Sequence, residues 1–401
     1  MQLFTALKHR PFAWLWLGQT ISRLGDSFYR IALAWWVLEA TGSAAAMGTV
    51  MIFSSIPMLV FLLFGGVAVD RFSRSRIMLF SDFGRGIIVS VVALLAYLGR
   101  LEIWHIYLAS IVFGLVDAFF QPAFTAVVPE ITPRDYLPSA NSLTSLSEKL
   151  AGVAGPALGA MIVSMGGTST TFLLDGITFI LSALCIIPIL RLSTTIEKTE
   201  STMLRDLREG FRTVISMPWM WITIVIASLF NITNGSVIAI ATPFLVNNQL
   251  LSDVNVLGWV YSAMSVGSVT AAIGLGQLAK FSHRGWLLYL STIISGAATI
   301  LIGFSSSIPI TLLAMFFCGA SISVFGLVWI NTLQERVPRD QLGRVSSIDM
   351  LGSFVLLPIG YGIIGWTTDL MGAGSIFIWG GVITVALALL GLMHPAIRGL
   401  D

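Results

Sequence analysis

Charge is what this sequence has least of. Only 10% of its 401 residues are Asp, Glu, Lys or Arg, against roughly 25% in an ordinary soluble domain. Mean hydropathy is +0.89. Such a chain cannot clothe a globule in water-compatible side chains, which excludes a soluble protein with a large core. Cysteine is also scarce: Cys185 and Cys318 both fall inside apolar runs, so no disulfide framework is expected. With four histidines and no Cys/His/Asp/Glu cluster, neither a metal nor a cofactor is expected. No G-x-x-x-x-G-K-[ST] loop occurs, which disfavours an ATP-driven pump. No basic patch points to nucleic acid. No catalytic residues are assigned, and an enzyme is not expected.

Long apolar runs are what remains. Twelve spans are predicted, at about 12–40, 44–69, 77–99, 103–128, 138–165, 169–190, 219–246, 256–279, 286–304, 308–333, 345–370 and 375–394. Most reach the ~20 residues that cross ~30 Å of hydrocarbon, and in lipid each must be helical. Of the 22 Lys and Arg, 17 fall at the N-terminus, in the loops after even-numbered spans or at the C-terminus, and only Arg100 falls opposite. Both termini are therefore expected in the cytoplasm. The first apolar run is too long for a cleavable signal.

One short phrase is written twice. Glu130-Ile131-Thr132-Pro133-Arg134-Asp135-Tyr136-Leu137 recurs 205 residues on as Glu335-Arg336-Val337-Pro338-Arg339-Asp340-Gln341-Leu342. Gly114 matches Gly319 and Gly155 matches Gly360 at the same offset, while Asp26 meets Asn231. Two related six-helix bundles are predicted, at 1–190 and 217–401, as in two-fold-repeat transporters. Residues 191–216 form the one long hydrophilic segment, a linker. Leu204, Leu207, Phe211 and Ile215 recur within it at helical spacing, which predicts an amphipathic helix on the inner surface.

Charges inside spans are costly and are functional candidates by default. Span 1 carries Gln19, Arg23, Asp26 and Arg30 on one helix face. Such a stripe must look into a polar cavity or onto partner helices. It serves either coupling or a structural ion-pair network. Asp117, near the middle of span 4, suits proton carriage or static pairing, with Arg23 or Arg30 as its expected partner. Glu148 in span 5 shares a stripe with Asn141 and is a further proton-coupling candidate, whereas Lys149 is assigned to the charge network. Asp82 and Arg85, one turn apart in span 3, read as a gate or a packing pair near the cytoplasm. Asp175 and Asp349 read as structural.

Two backbone motifs complete the pattern. Gly66, Asp70, Arg71 and Arg74 lie in the turn joining spans 2 and 3. Gly155, Pro156 and Gly159 lie in span 5, where small residues let two helices pack closely.

On these residues the chain resembles the major facilitator superfamily over essentially its whole length. The 66–76 segment is similar to that superfamily's motif A, with Ser73 in place of the second glycine. The resemblance implies a conformational latch between the loop's acid and the start of span 11. The second copy has Ala279 where the acid would be. The 151–160 segment is similar to motif C, which marks exporters. The buried arginine of motif B is absent from span 4. Gly18-Gln19, Leu24-Gly25-Asp26, Gln121-Pro122-Ala123, Leu174-Asp175 and Gly343-Arg344-Val345 resemble the macrolide-efflux and enterobactin-exporter branch of the drug:proton antiporters.

The resulting expectation is an all-α membrane protein: twelve transmembrane helices in two pseudo-symmetric six-helix bundles that rock about a midplane site. It would be a monomer in a bacterial inner membrane, exporting amphipathic organic compounds or drugs against protons. Coupling is assigned to Asp26, Asp117 and Glu148, with Arg23, Arg30 and Lys149 as their charge network. The substrate cavity is assigned to Gln19, Phe28, Tyr29, Phe120, Gln121, Asn141, Asn231, Asn234, Phe325 and Trp329. The gate is assigned to Gly66, Asp70, Arg71, Arg74, Asp82 and Arg85. A siderophore or other metabolite exporter, a lysolipid flippase and a non-transporting membrane receptor are the alternatives.

Overall fold

Apolar runs with no water to bond must close their own backbone hydrogen bonds, and helices do so within one segment. A computed structural model describes residues 4–190, 192, 203–277, 281–338 and 341–401; the side chains of 62–71 and 203–207 lie outside that description. The described residues form helices, turns and loops, with no strand among them. They fall into two compact units, Met1–Lys198 and Thr199–Asp401.

The first unit holds α1 (Arg10–Thr41), α2 (Ala44–Arg71), α3 (Arg74–Tyr97), α4 (Ile103–Ile131) and α5 (Leu137–Ile186). α1 starts with Pro11 in its first turn, where the missing N–H leaves no bond unmade, and stops at Gly42 in the left-handed region (φ 62°). α5 runs for 50 residues, but Gly167 at φ 76°, ψ 173° divides it into two limbs. Five helices therefore supply six spans.

The second unit begins with α6 (Met203–Ser216), the helix expected in the linker. α7 (Pro218–Phe230) passes through a π-helical turn at Asn231–Ser236 into α8 (Val237–Phe244), which ends in a second π turn at Leu245–Gln249. α9 (Val254–Gly276), α10 (Arg284–Phe304), α11 (Ile308–Arg336), α12 (Leu342–Phe354), α13 (Leu357–Met371) and α14 (Ala373–Met393) follow. Asp253 caps α9 by accepting from the amides of Asn255 and Val256 at 3.1 and 3.4 Å.

Among the described residues, ten segments are long and apolar enough to cross a membrane. The sequence predicted twelve, and the difference has two causes. Arg134–Ile189 is counted once but contains two spans, one on each side of Gly167. α1 is 32 residues long, yet Arg10, Arg23, Asp26, Arg30 and Glu39 make it too polar to qualify.

The internal repeat has a packing basis. Lipid gives helices no hydrophobic reason to associate, so close backbone approach does much of the holding. A Cβ on Gly114 would overlap the Ser54 carbonyl of α2, and one on Gly319 would overlap the Met264 carbonyl of α9. The repeated glutamates are matched as well. Glu130 pairs with Arg74 at 3.2 Å, and Glu335 pairs with Arg284. Each pair ties the start of its unit's third span to the end of its fourth. In the second copy of the phrase, Arg339 and Asp340 lie outside the described residues.

Candidate functional site

The polar centre of the first unit is built on Arg85. This residue sits midway along α3, 4% exposed, not near a helix end. Its guanidinium donates to Asp82 at 2.6 Å and to Asp117 of α4 at 3.1 Å. The face of the same group lies 4.3 Å from the Phe120 ring centroid and 4.6 Å from that of Phe179, a sandwich that favours a cation. Asp82 is fully buried. Its second oxygen accepts from the Ser182 hydroxyl at 2.6 Å and from the Gln19 amide at 3.2 Å, and Gln19 also donates to Ser182 at 2.9 Å. α1, α3, α4 and the second limb of α5 thus meet in one bonded cluster.

These contacts correct two expectations. Asp117 pairs with Arg85, not with Arg23 or Arg30, because the α3–α4 contact brings Arg85 to it. Asp82 and Arg85 are the packing pair that the sequence offered beside a gate, but they sit near the middle of α3 and not near its end. Ser182 went unassigned in the sequence, where a lone serine in an apolar run carries no signal.

A cavity of about 530 Å³ opens beside the cluster, lined by first-unit residues that include Gln19, Arg23, Asp26, Tyr29, Arg30, Arg85, Asp117, Phe120, Gln121 and Glu148. Arg23 forms an ion pair with Glu148 and lies 5.0 Å from the Phe124 centroid. Arg30 reaches only the Ser27 hydroxyl, at 3.5 Å, among the described residues. Asp26 is half-buried, and no described residue hydrogen-bonds or pairs with its carboxylate. Lys149 is exposed and makes no ion pair among the described residues. Asn141 is exposed and outside the cavity wall.

The glycine–proline motif seats α5 against α1 directly behind this wall. A Cβ on Gly155 would collide with Ser27, and one on Gly159 would stand 2.9 Å from the Phe28 Cα. Pro156 lies between them, inside the helix. Phe28 therefore packs on Gly159 and is absent from the cavity lining, while its neighbour Tyr29 faces the cavity and stacks on Phe113 at 5.3 Å.

The expected second-unit residues are placed differently. Asn234 is fully buried and donates to Thr299 at 2.7 Å, away from any described cavity. Asn231 donates to the Ser353 carbonyl at 2.9 Å. Phe325 stacks on Trp329, whose indole N–H donates to Asp349 at 3.0 Å. Trp329 is 7% exposed, so it belongs to the packed core. In the last turns of α2, the side chains of Gly66, Asp70 and Arg71 lie outside the described residues; at the start of α3, Arg74 holds Glu130 and the Ala126 carbonyl.

Known proteins agree with this architecture. The profile of a family described as transmembrane secretion effector matches residues 1–397. Macrolide efflux protein A of Streptococcus pyogenes is 22% identical over 395 residues, covering 97% of each chain. The enterobactin exporter EntS of Shigella boydii is 26% identical over 344 residues, 85% of this chain and 81% of its own. The crystal structure of a bacterial homologue of the iron transporter ferroportin, in an inward-facing state, superposes with a TM-score of 0.76 at 13% identity, over 96% of this chain and 99% of that one. Twelve spans, two homologous units and a match over nearly the full length place this multi-pass membrane protein in the transmembrane secretion effector family of the major facilitator superfamily.

Proposed function

We propose that the protein is a proton-coupled exporter of amphipathic organic compounds, working by alternating access of its two units. One observation carries the reading: beside one cavity, buried Asp82 and the wall residue Asp117 share the Arg85 guanidinium, while Asp26 in the same wall makes no hydrogen bond or ion pair among the described residues. With Arg23, Arg30 and Glu148 of the same wall counted, the site holds four carboxylates, Asp26, Asp82, Asp117 and Glu148, to three guanidiniums, and a proton or a cationic substrate completes it. Tyr29, Phe113 and Phe120 give the same cavity apolar surface for an organic molecule. The efflux and exporter relatives support the direction of transport. In this reading both termini are cytoplasmic, the membrane is the bacterial inner membrane and the working unit is a monomer.

A narrower reading, export of an anionic siderophore-like metabolite, is favoured by Arg30, which faces the cavity and makes no ion pair among the described residues. Uptake of dye or drug into inside-out vesicles under an imposed pH gradient tests both. The exporter reading expects gradient-driven uptake that Asp26→Asn abolishes. Uptake that ignores the pH gradient removes proton coupling. Uptake of anionic chelators alone, lost in Arg30→Gln, selects the narrower reading.

A further inference from the structure

Helix α6 has two faces that meet different surroundings. Its inner face is fastened to α12. Gly210 is buried, and a Cβ there would stand 2.9 Å from the Arg344 carbonyl oxygen. Glu209 pairs with Arg344 at 2.5 Å, Thr213 donates to Gln341 at 2.8 Å, and Val214 is 4% exposed in the core of the second unit. The outer face carries Arg208, Phe211, Arg212 and Ile215, which line a shallow groove of about 710 Å³ together with Glu209. Phe211 is 56% exposed and Ile215 54%. Two arginines one turn apart flank two apolar side chains one turn apart. Glu209, beside them, pairs with Arg344 of α12.

The level of the helix says what covers that face. One residue, Met217, separates α6 from α7, whose first turns present Trp219 and Trp221, the latter 42% exposed. An exposed tryptophan in the opening turns of a membrane helix marks the headgroup layer. α6 therefore lies at that layer, with a pattern suited to it: apolar side chains for the acyl boundary and guanidinium groups for phosphate.

We propose that α6 docks on anionic phospholipid, with Arg208 and Arg212 holding headgroup phosphates and Phe211 and Ile215 entering the acyl boundary, and that the Glu209–Arg344 and Gly210 contacts pass this binding to α12. The inference is independent of what the protein transports. Each arginine is expected to contribute about five-fold in affinity for an anionic surface, and the pair about twenty-five-fold.

The test uses the full-length protein in mild detergent, titrated with phosphatidylglycerol or phosphatidylcholine and read by hydrogen exchange at α6 and α12 and by thermal unfolding. Phosphatidylglycerol should protect both helices at low salt and less so at high salt, and phosphatidylcholine should protect neither. Arg208→Gln/Arg212→Gln should keep its unfolding midpoint without lipid yet need about twenty-five-fold more phosphatidylglycerol. Glu209→Gln should still bind at α6 but lose the protection at α12. Equal responses to the two lipids would overturn the proposal, as would a double variant that responds like wild type. Protection by free glycerol phosphate or by polyglutamate, but not by phosphatidylglycerol, would also overturn it and point to a soluble anion or an acidic protein segment. If α6 responds while α12 does not in the wild type, the coupling half fails.

Discussion

The two units share a scaffold and differ in what they bury. Gly114 and Gly319 make the same backbone crossing, and Arg74–Glu130 and Arg284–Glu335 make the same tie. In the first unit those crossings enclose Arg85, Asp82, Asp117 and a cavity edged by Asp26. In the second they enclose Asn234, Thr299 and a tryptophan bonded to Asp349. The two units match in the contacts that hold helices together at the level of backbone and helix ends, and differ in their mid-helix side chains. The division fits lipid physics. Glycine crossings work wherever two helices must touch, but a mid-span charge is tolerated only where partners exist for it.

The sharpest way to break the comparison is at the centre of the first unit. Arg85→Leu leaves fully buried Asp82 without its cation and is expected to destabilise the protein by about 3–5 kcal/mol. The check is the unfolding midpoint in detergent. A loss below 1 kcal/mol, on the order of an exposed pair, would mean that the cluster is solvated and not a buried network.

A smaller and symmetric effect is expected at the crossings. Gly114→Val and Gly319→Val each push a side chain into a backbone carbonyl, costing about 1–3 kcal/mol apiece. Near-equal losses in the two variants support a shared scaffold, and damage confined to one unit contradicts it. The smallest effect belongs to the second unit. Trp329→Phe removes the indole donor and leaves Asp349 with the Ser353 hydroxyl at 3.4 Å, for about 1–2 kcal/mol. If that loss matched Arg85→Leu, the claim that the units differ in their buried charge would fail.

Much of this was legible in the sequence, and the misses have physical reasons. Hydropathy located the spans because lipid imposes length and helicity on them. The repeated phrase marked the units because its glutamates end corresponding helices. The one-face spacing of Gln19, Arg23, Asp26 and Arg30 pointed to a polar cavity or to partner helices, and all four line the cavity while Gln19 also bonds across to α3 and α5. What spacing cannot give is which helix stands opposite. Asp117 received the wrong partner because the arginine that reaches it is on α3, a helix whose own sequence offered only an i,i+3 pair. Phe28 and Tyr29 are neighbours, so a helix turns them about 100° apart. Only the packing of Gly159 on Phe28 decides that Tyr29 is the one facing the cavity.

The π turn at Asn231–Ser236 gives span 7 a property that its counterpart, α1, lacks. A ring closed from residue i to i+5 holds one residue more than the α-helical ladder needs. That surplus is a dislocation in a one-dimensional crystal. It can glide along the strand of hydrogen bonds, breaking and remaking one bond at a time, without the helix ever unwinding. Every residue it passes is re-aimed by about 100°. Buried Asn234, whose side-chain amide oxygen finds no donor among the described residues, stands within the dislocation itself, where one step of glide changes what that oxygen faces.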